Sequence, residues 1–177
     1  MAQSASGCNA RFGPPLTAAR RARYLRAGSI GAGRMAVRVA VITDSIAEDF
    51  FFPLWRRYYG GLFGDAALHV VTYEGGARFA DPRLGGVLRL PVGYEDGLRA
   101  WVISDYVAML LHANDVVVRV DVDEFLVVDP RAGASLPEFI ARSDRPHLTA
   151  RGFDVVQIMA KPPLQPDRPV LAQRQFA

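Results

Sequence analysis

Cysteine is nearly missing from this chain. Cys8 is the only one in 177 residues, which excludes an internal disulfide framework and any zinc site built from several cysteines. That fits a reducing compartment, and a cytoplasmic location is the expectation. Long apolar runs are missing too. Asp, His or Arg interrupts each hydrophobic stretch well short of the roughly 18 residues a membrane-spanning helix needs, so no transmembrane segment is expected. Acid is missing from residues 1–38, which carry seven arginines. Residues 39–177 carry fourteen basic and eighteen acidic side chains, so the overall charge of +3 belongs to the start of the chain. The remainder is mildly acidic and shows no basic stripe, which argues against a nucleic-acid partner.

Residues 1–36 are rich in Gly, Ala, Ser, Pro and Arg and have no apolar period. They lack the hydrophobic centre of a secretory signal. An Arg-rich, acid-free start resembles an organelle transit peptide. The plainer reading is a disordered basic tail, with Met35 standing just before the first ordered run. One domain, residues 37–177, is then expected.

What is present is an alternation of strand and helix signals. VRVAVIT (37–43) and VVVRVDV (116–122) are almost continuously apolar and β-branched, as strands covered on both faces would be. ALHVVTY (67–73) and VLRL (87–90) read as two more strands. Asp44 and Ser45 are candidate caps for a helix carrying Phe50, Leu54, Trp55, Tyr58 and Leu62 at helical spacing, weakened and ended by Gly60, Gly61 and Gly64. A second helix is expected from Asp96, with Leu98, Trp101, Val102, Val107, Ala108 and Leu111 on one broad apolar face. Ser135 and Pro137 open a third. HLTAR (147–151) and DVVQIM (154–159), separated by Gly152, read as late strands. The expected fold class is α/β: a mostly parallel, Rossmann-like sheet with flanking helices and mixed character at one edge.

In such sheets ligands bind beyond the carboxyl ends of the strands. Asp121 and Asp123 fall there, followed by Glu124. Two residues apart on an extended chain, they are expected to face one ligand. Hard carboxylate oxygens suit Mg²⁺ or Mn²⁺, and such an ion keeps positions open for substrate phosphates. Without a cation, two close carboxylates repel, so a metal or a strong cationic partner is expected beside them. The bland alternative is that strand-end aspartates cap the following turn, as Asp129 before Pro130 is expected to do.

LLHANDVVVRVDVDEFLVVDP (110–130) resembles the "DxD" region of GT-A-fold glycosyltransferases, in particular the glycosyltransferase family 2-like group, where D-x-D-E-F-L follows an apolar strand. DFFFPLWRRYYGGLFGDAALHVVTY (49–73) is similar to the first helix and second strand of that group. The resemblance spans roughly residues 37–160. It implies a GT-A-like domain that binds a UDP- or GDP-sugar donor and transfers the sugar to an acceptor hydroxyl. Asp121 and Asp123 would hold Mn²⁺ or Mg²⁺ against the donor diphosphate, Asp121 also reaching the ribose. Thr43 and Asp44 would face base and ribose, and Arg99 and Asp105 would contact the donor.

The loop YEGGARFADP lacks the acidic-Ser-Asp-Gly run of many relatives, and the resemblance stops where such enzymes continue into an acceptor-binding half. A partial domain with an incomplete acceptor half and an unassigned catalytic base is therefore expected. Two other readings stand beside it. One is a degenerate nucleotide-binding or interaction domain without turnover. The other is a phosphohydrolase with Asp121 as nucleophile, which is disfavoured because Phe125 stands where that chemistry normally has Thr or Ser. Trp55, Tyr58 and Tyr59 could form a sugar platform, but their helical spacing favours packing.

Overall fold

Four short segments, three of them rich in β-branched residues, carry the sheet. In the computed structural model, which describes residues 37–46, 49–74, 81–155, 162–165, 167–168 and 170–173, they are β1 (Val39–Ser45), β2 (Leu68–Thr72), β3 (Gly86–Arg89) and β4 (Val116–Arg119). All pairings are parallel and the order is β3-β2-β1-β4. The expected tail, residues 1–36, lies outside the described residues.

β1 is apolar on both sides because both sides are covered. Val41 faces a core shared with Trp55, Tyr59, Leu68, Val70, Val118 and Leu136. Ala40 and Ile42 face the other core, with Val71, Val102, Ile103 and Leu110. The first core is closed by α1 (Phe51–Phe63) and α3 (Leu136–Arg142), the second by α2 (Asp96–Ala113). A short helix, α4 (Val170–Gln173), comes last.

The helix boundaries follow local chemistry. Pro53 is tolerated in the first turn of α1, where backbone N–H groups have no helical partner. α1 ends at Gly64, whose φ of 84° a side chain would strain and whose N–H donates to the Gly60 carbonyl. Glu95 caps α2, its carboxylate accepting from the N–H groups of Gly97 at 2.8 Å and Leu98 at 2.6 Å. Ser135 and Glu138 form a reciprocal capping box on α3, with Pro137 in its first turn.

Several expectations need correction. Asp44 and Ser45 do not cap α1. They stay in β1, paired with Val71 and Thr72, and α1 begins after Phe50 with no side-chain cap. Trp101 lies 64% exposed, away from the core. α2 is apolar on nearly every side, so its sequence does not single out the face that packs. The mixed sheet edge is not found among the described residues. Residues 147–155 form no strand and are exposed, with no neighbouring strand to pair them, and 156–160 lie outside the described residues. No helix among the described residues is long and apolar enough to cross a membrane.

Two glycines separate close packing from open space. A Cβ on Gly85 would overlap the Ala66 carbonyl oxygen and sit 2.9 Å from His69 Nε2, whereas one on Gly61 meets nothing within 4 Å. Gly85→Ala is expected to lower stability by about 1–3 kcal/mol. Gly61→Ala, in the interior of α1, should raise it by about 0.5–1 kcal/mol. Urea midpoints of the two variants, moving in opposite directions, check this.

Candidate functional site

β1 is the strand at which the chain reverses its direction across the sheet. β2 and β3 are added on one side, after which α2 carries the chain back to place β4 on the other. The carboxyl ends of β1 and β4 therefore flank a topological switch point, where backbone connections diverge and leave a crevice. An open cleft of about 450 Å³ lies there, lined by Asp44 and Ser45 at the end of β1 and Ile46 beyond it, by Tyr94 just before α2 and Arg99 in its first turn, and by Asp121 to Asp123 after β4.

Arg99 is its centre. Its side chain grips Asp44 bidentately, Nε to Oδ2 at 2.7 Å and Nη2 to Oδ1 at 3.0 Å, and Nη2 also bonds Asp121 Oδ1. Arg119 adds a second guanidinium on that oxygen at 2.7 Å. The Asp44 side chain is 5% exposed, that of Arg99 23%. The bond to Asp44 and the charges of Asp44 and Asp121 hold the Arg99 guanidinium well above its ordinary range against the opposing effect of burial, so it stays charged. Behind Asp44, burial first, and then the Asp44 charge, push the Tyr73 phenol up to about 12. Its hydroxyl is buried with no hydrogen-bond partner among the described residues. Tyr94 packs edge-on against Tyr73 and donates to Asp96 Oδ1 at 2.8 Å.

The two carboxylates after β4 share the cleft for a different reason than the one expected. The strand ladder stops at Arg119, and residues 121–124 form a tight turn closed by the Glu124 N–H on the Asp121 carbonyl at 3.0 Å. The Glu124 carboxylate folds back to accept the Asp121 N–H at 3.0 Å. A turn, not the two-residue pleat, brings Asp121 and Asp123 to one place. Asp121 is half-buried and bound by arginine; Asp123 is exposed and makes no ion pair among the described residues.

Of the other expected site residues, Asp44 and Arg99 are in the cleft, and Thr43 and Asp105 are not. Thr43 is buried on the opposite side of β1 from Asp44, as alternation along a strand requires, with its hydroxyl 3.4 Å from the Asp44 carbonyl. Asp105 is exposed. Six residues beyond Arg99, it stands about 120° round α2 and about 9 Å further along the axis. Arg119 and Tyr94 were missed. The signal for Arg119 was its place in the run VVVRVD, two residues before Asp121. Tyr94 sits in a Gly- and Pro-rich connection with no periodicity to mark it. Trp55 and Tyr59 are wholly buried, which makes them core rather than a sugar platform.

As a metal site the donor set is sparse. Among the described residues no three His, Cys, Asp or Glu side chains converge as a cage. Two carboxylates, one of them exposed, suit a hard ion that completes its shell with substrate phosphates and water, rather than an ion held by protein alone. Three cleft carboxylates (Asp44, Asp121 and Asp123) against two guanidiniums (Arg99 and Arg119) also leave negative charge to compensate.

No family model matches the chain, and no curated protein or solved structure does either.

The ion pair predicts a non-additive pair of substitutions. Arg99→Met strands the Asp44 carboxylate in its buried position and should cost about 3–5 kcal/mol of stability. Adding Asp44→Asn should restore much of that loss, because the uncompensated charge is gone. Denaturant unfolding of the two single variants and the double variant measures the coupling.

Proposed function

We propose that this chain forms the donor-binding part of a metal-dependent glycosyltransferase of the GT-A, family 2-like kind. The observation that carries the reading is the convergence of Asp44, Arg99, Asp121 and Asp123 at the carboxyl ends of β1 and β4, on the two sides of a topological switch point. Crevices of that kind receive nucleotides in parallel α/β sheets. The D-x-D-E-F-L stretch and the aromatic helix before β2 support the same reading from sequence.

In this account Asp121 and Asp123 hold a Mg²⁺ or Mn²⁺ ion that arrives with the donor diphosphate. When bound, that ion supplies neutralisation of the charge developing on the leaving nucleotide diphosphate. Asp44, fixed by two bonds from Arg99, presents its remaining acceptor capacity to the ribose. Arg99 keeps the Asp44 and Asp121 carboxylates from repelling each other before the donor enters, and its fixed charge favours the arriving phosphates. Tyr94 offers an aromatic face at the rim of the cleft. No carboxylate in the cleft is assigned as the base for an acceptor hydroxyl. Asp154, a carboxylate late in the chain, is exposed and outside the residues that line the cleft.

Nucleotide binding without turnover is the second reading, favoured because none of the described residues that line the cleft is assigned as that base. A phosphohydrolase with Asp121 as nucleophile gains nothing from the geometry, since Asp121 Oδ1 is shared by two guanidiniums that lower its nucleophilicity.

Calorimetric titration of UDP- and GDP-sugars, with and without Mn²⁺, tests the donor site. One of the two nucleotides should bind in a Mn²⁺-dependent way, and Asp123→Ala should weaken binding by at least about tenfold. Failure of both nucleotides with the metal present would sink the donor-site reading and the binding-only one together. Turnover with an acceptor then separates transferase from binding domain.

A further inference from the structure

Two tyrosines of α1 reach across the molecule to the backbone just after the carboxylate turn. The Tyr59 hydroxyl donates to the Glu124 carbonyl at 3.2 Å and accepts from the Leu126 N–H at 2.9 Å. The Tyr58 hydroxyl donates to the Leu126 carbonyl at 2.6 Å. Phe125, between those two residues, lies parallel to the Tyr59 ring at 6.4 Å and edge-on to Tyr58 at 5.5 Å. These partners are 65 to 68 residues apart in sequence, so the contacts exist only because α1 and the turn meet in the fold.

Glu124 is where this grip joins the cleft. Its carbonyl is held by Tyr59, its N–H closes the turn on the Asp121 carbonyl, and its carboxylate accepts the Asp121 N–H. The Tyr59 end of the linkage is rigid. Tyr59 is wholly buried against Trp55 and packs in the core that includes Val41 and Val70. The segment it holds has no helix or strand bonds of its own to define its path. Burial pushes the Tyr59 phenol up to about 12, so its proton is present for donation throughout the neutral range.

We propose that Tyr59, assisted by Tyr58, is a positioning residue that fixes the Asp121–Glu124 turn, and so sets where the Asp121 and Asp123 carboxylates stand in the cleft. The geometric part stands by itself; the consequence for ligand binding rests on the donor-site reading. Removing the Tyr59 hydroxyl leaves a carbonyl and an N–H without their partner while keeping the ring that fills the core, so the turn loses its anchor and the core keeps its volume. Outer groups that orient metal-binding carboxylates commonly control affinity by 10–100-fold.

The test compares Tyr59→Phe with Val70→Ala, which disturbs the same core without touching the turn, at matched global stability. Two readouts need no ligand: hydrogen exchange of the Leu126 amide, and the carboxyl-carbon NMR shifts of Asp121 and Asp123. A third is the affinity for Mn²⁺ with UDP. Tyr59→Phe should speed Leu126 exchange by about tenfold or more, move both carboxyl shifts, and weaken Mn²⁺–UDP by roughly 10–100-fold. Val70→Ala should do none of these. If Tyr59→Phe leaves exchange and shifts as in the wild type, or if Val70→Ala changes them equally, the proposal is overturned. If the wild type binds no Mn²⁺–UDP while the ligand-free readouts change as expected, the donor-site reading fails and the positioning role stands. Should Tyr59→Phe not fold, Tyr58→Phe removes one of the three bonds and should give the same pattern at smaller size.

Discussion

The ion pair between Arg99 and Asp44 joins the two sides of the site. Asp44 lies near the end of β1, Arg99 in the first turn of α2, and Asp121, which follows β4, leans on the same guanidinium. Each side chain comes from a different part of the chain, and each would be unfavourable where it stands without the others. A carboxylate as buried as Asp44 needs a fixed cation, and two carboxylates at neighbouring strand ends need something positive between them. A buried ion pair is weak evidence for stability in its own right, since well-packed apolar residues often do as well. Its place at the topological switch point is what the proposed donor site draws on.

From that pair the remaining architecture follows in order. The sheet places β1 beside β4, and the two helices that open or cross near the cleft have distinct tasks. α2 brings Arg99, the connection before it brings Tyr94 to the rim, and the Gly97 and Leu98 amides at the start of α2 are already satisfied by Glu95. α1 packs on the opposite side of the sheet and reaches round through Tyr58 and Tyr59 to hold the segment after the carboxylate turn. The cleft is thus bounded by groups anchored in both cores. Asp123 alone among its acids is both exposed and free of an ion pair among the described residues, and the proposed donor site gives it the contact with the ion.

Much of this was legible in the sequence, and the parts that were not share a cause. Three of the four strands announced themselves as β-branched apolar runs, and the start of α3 by Ser135 and Pro137. Asp44, Arg99 and Asp121, named from the sequence, come together in the cleft. Thr43 was not separable from Asp44 without knowing which face of β1 the cleft uses. Trp101 was misplaced because α2 offers apolar residues on nearly all sides, so periodicity fixes the helix but not its rotation, and Asp105, named through the resemblance, falls outside the cleft lining. Residues 147–151 look strand-like, yet extended backbone becomes a strand only beside a partner edge, and the described sheet supplies none there. The turn at 121–124, the second guanidinium from Arg119 and the tyrosine grip all depend on contacts distant in sequence. Residue type hints at such contacts, and spacing along the chain does not reveal them.

If the donor site is as proposed, the Asp121–Asp123 turn receives a divalent ion together with a nucleotide diphosphate. A crystal structure grown with Mn²⁺ and UDP, with anomalous data at the manganese edge, tests it most directly. The account predicts an anomalous peak within coordination distance of Asp123 and Asp121, bridged to the diphosphate, with the nucleoside lying toward Asp44. A nucleotide bound elsewhere, or a cleft that holds neither ion nor phosphate while Arg99 keeps both carboxylates, would contradict it.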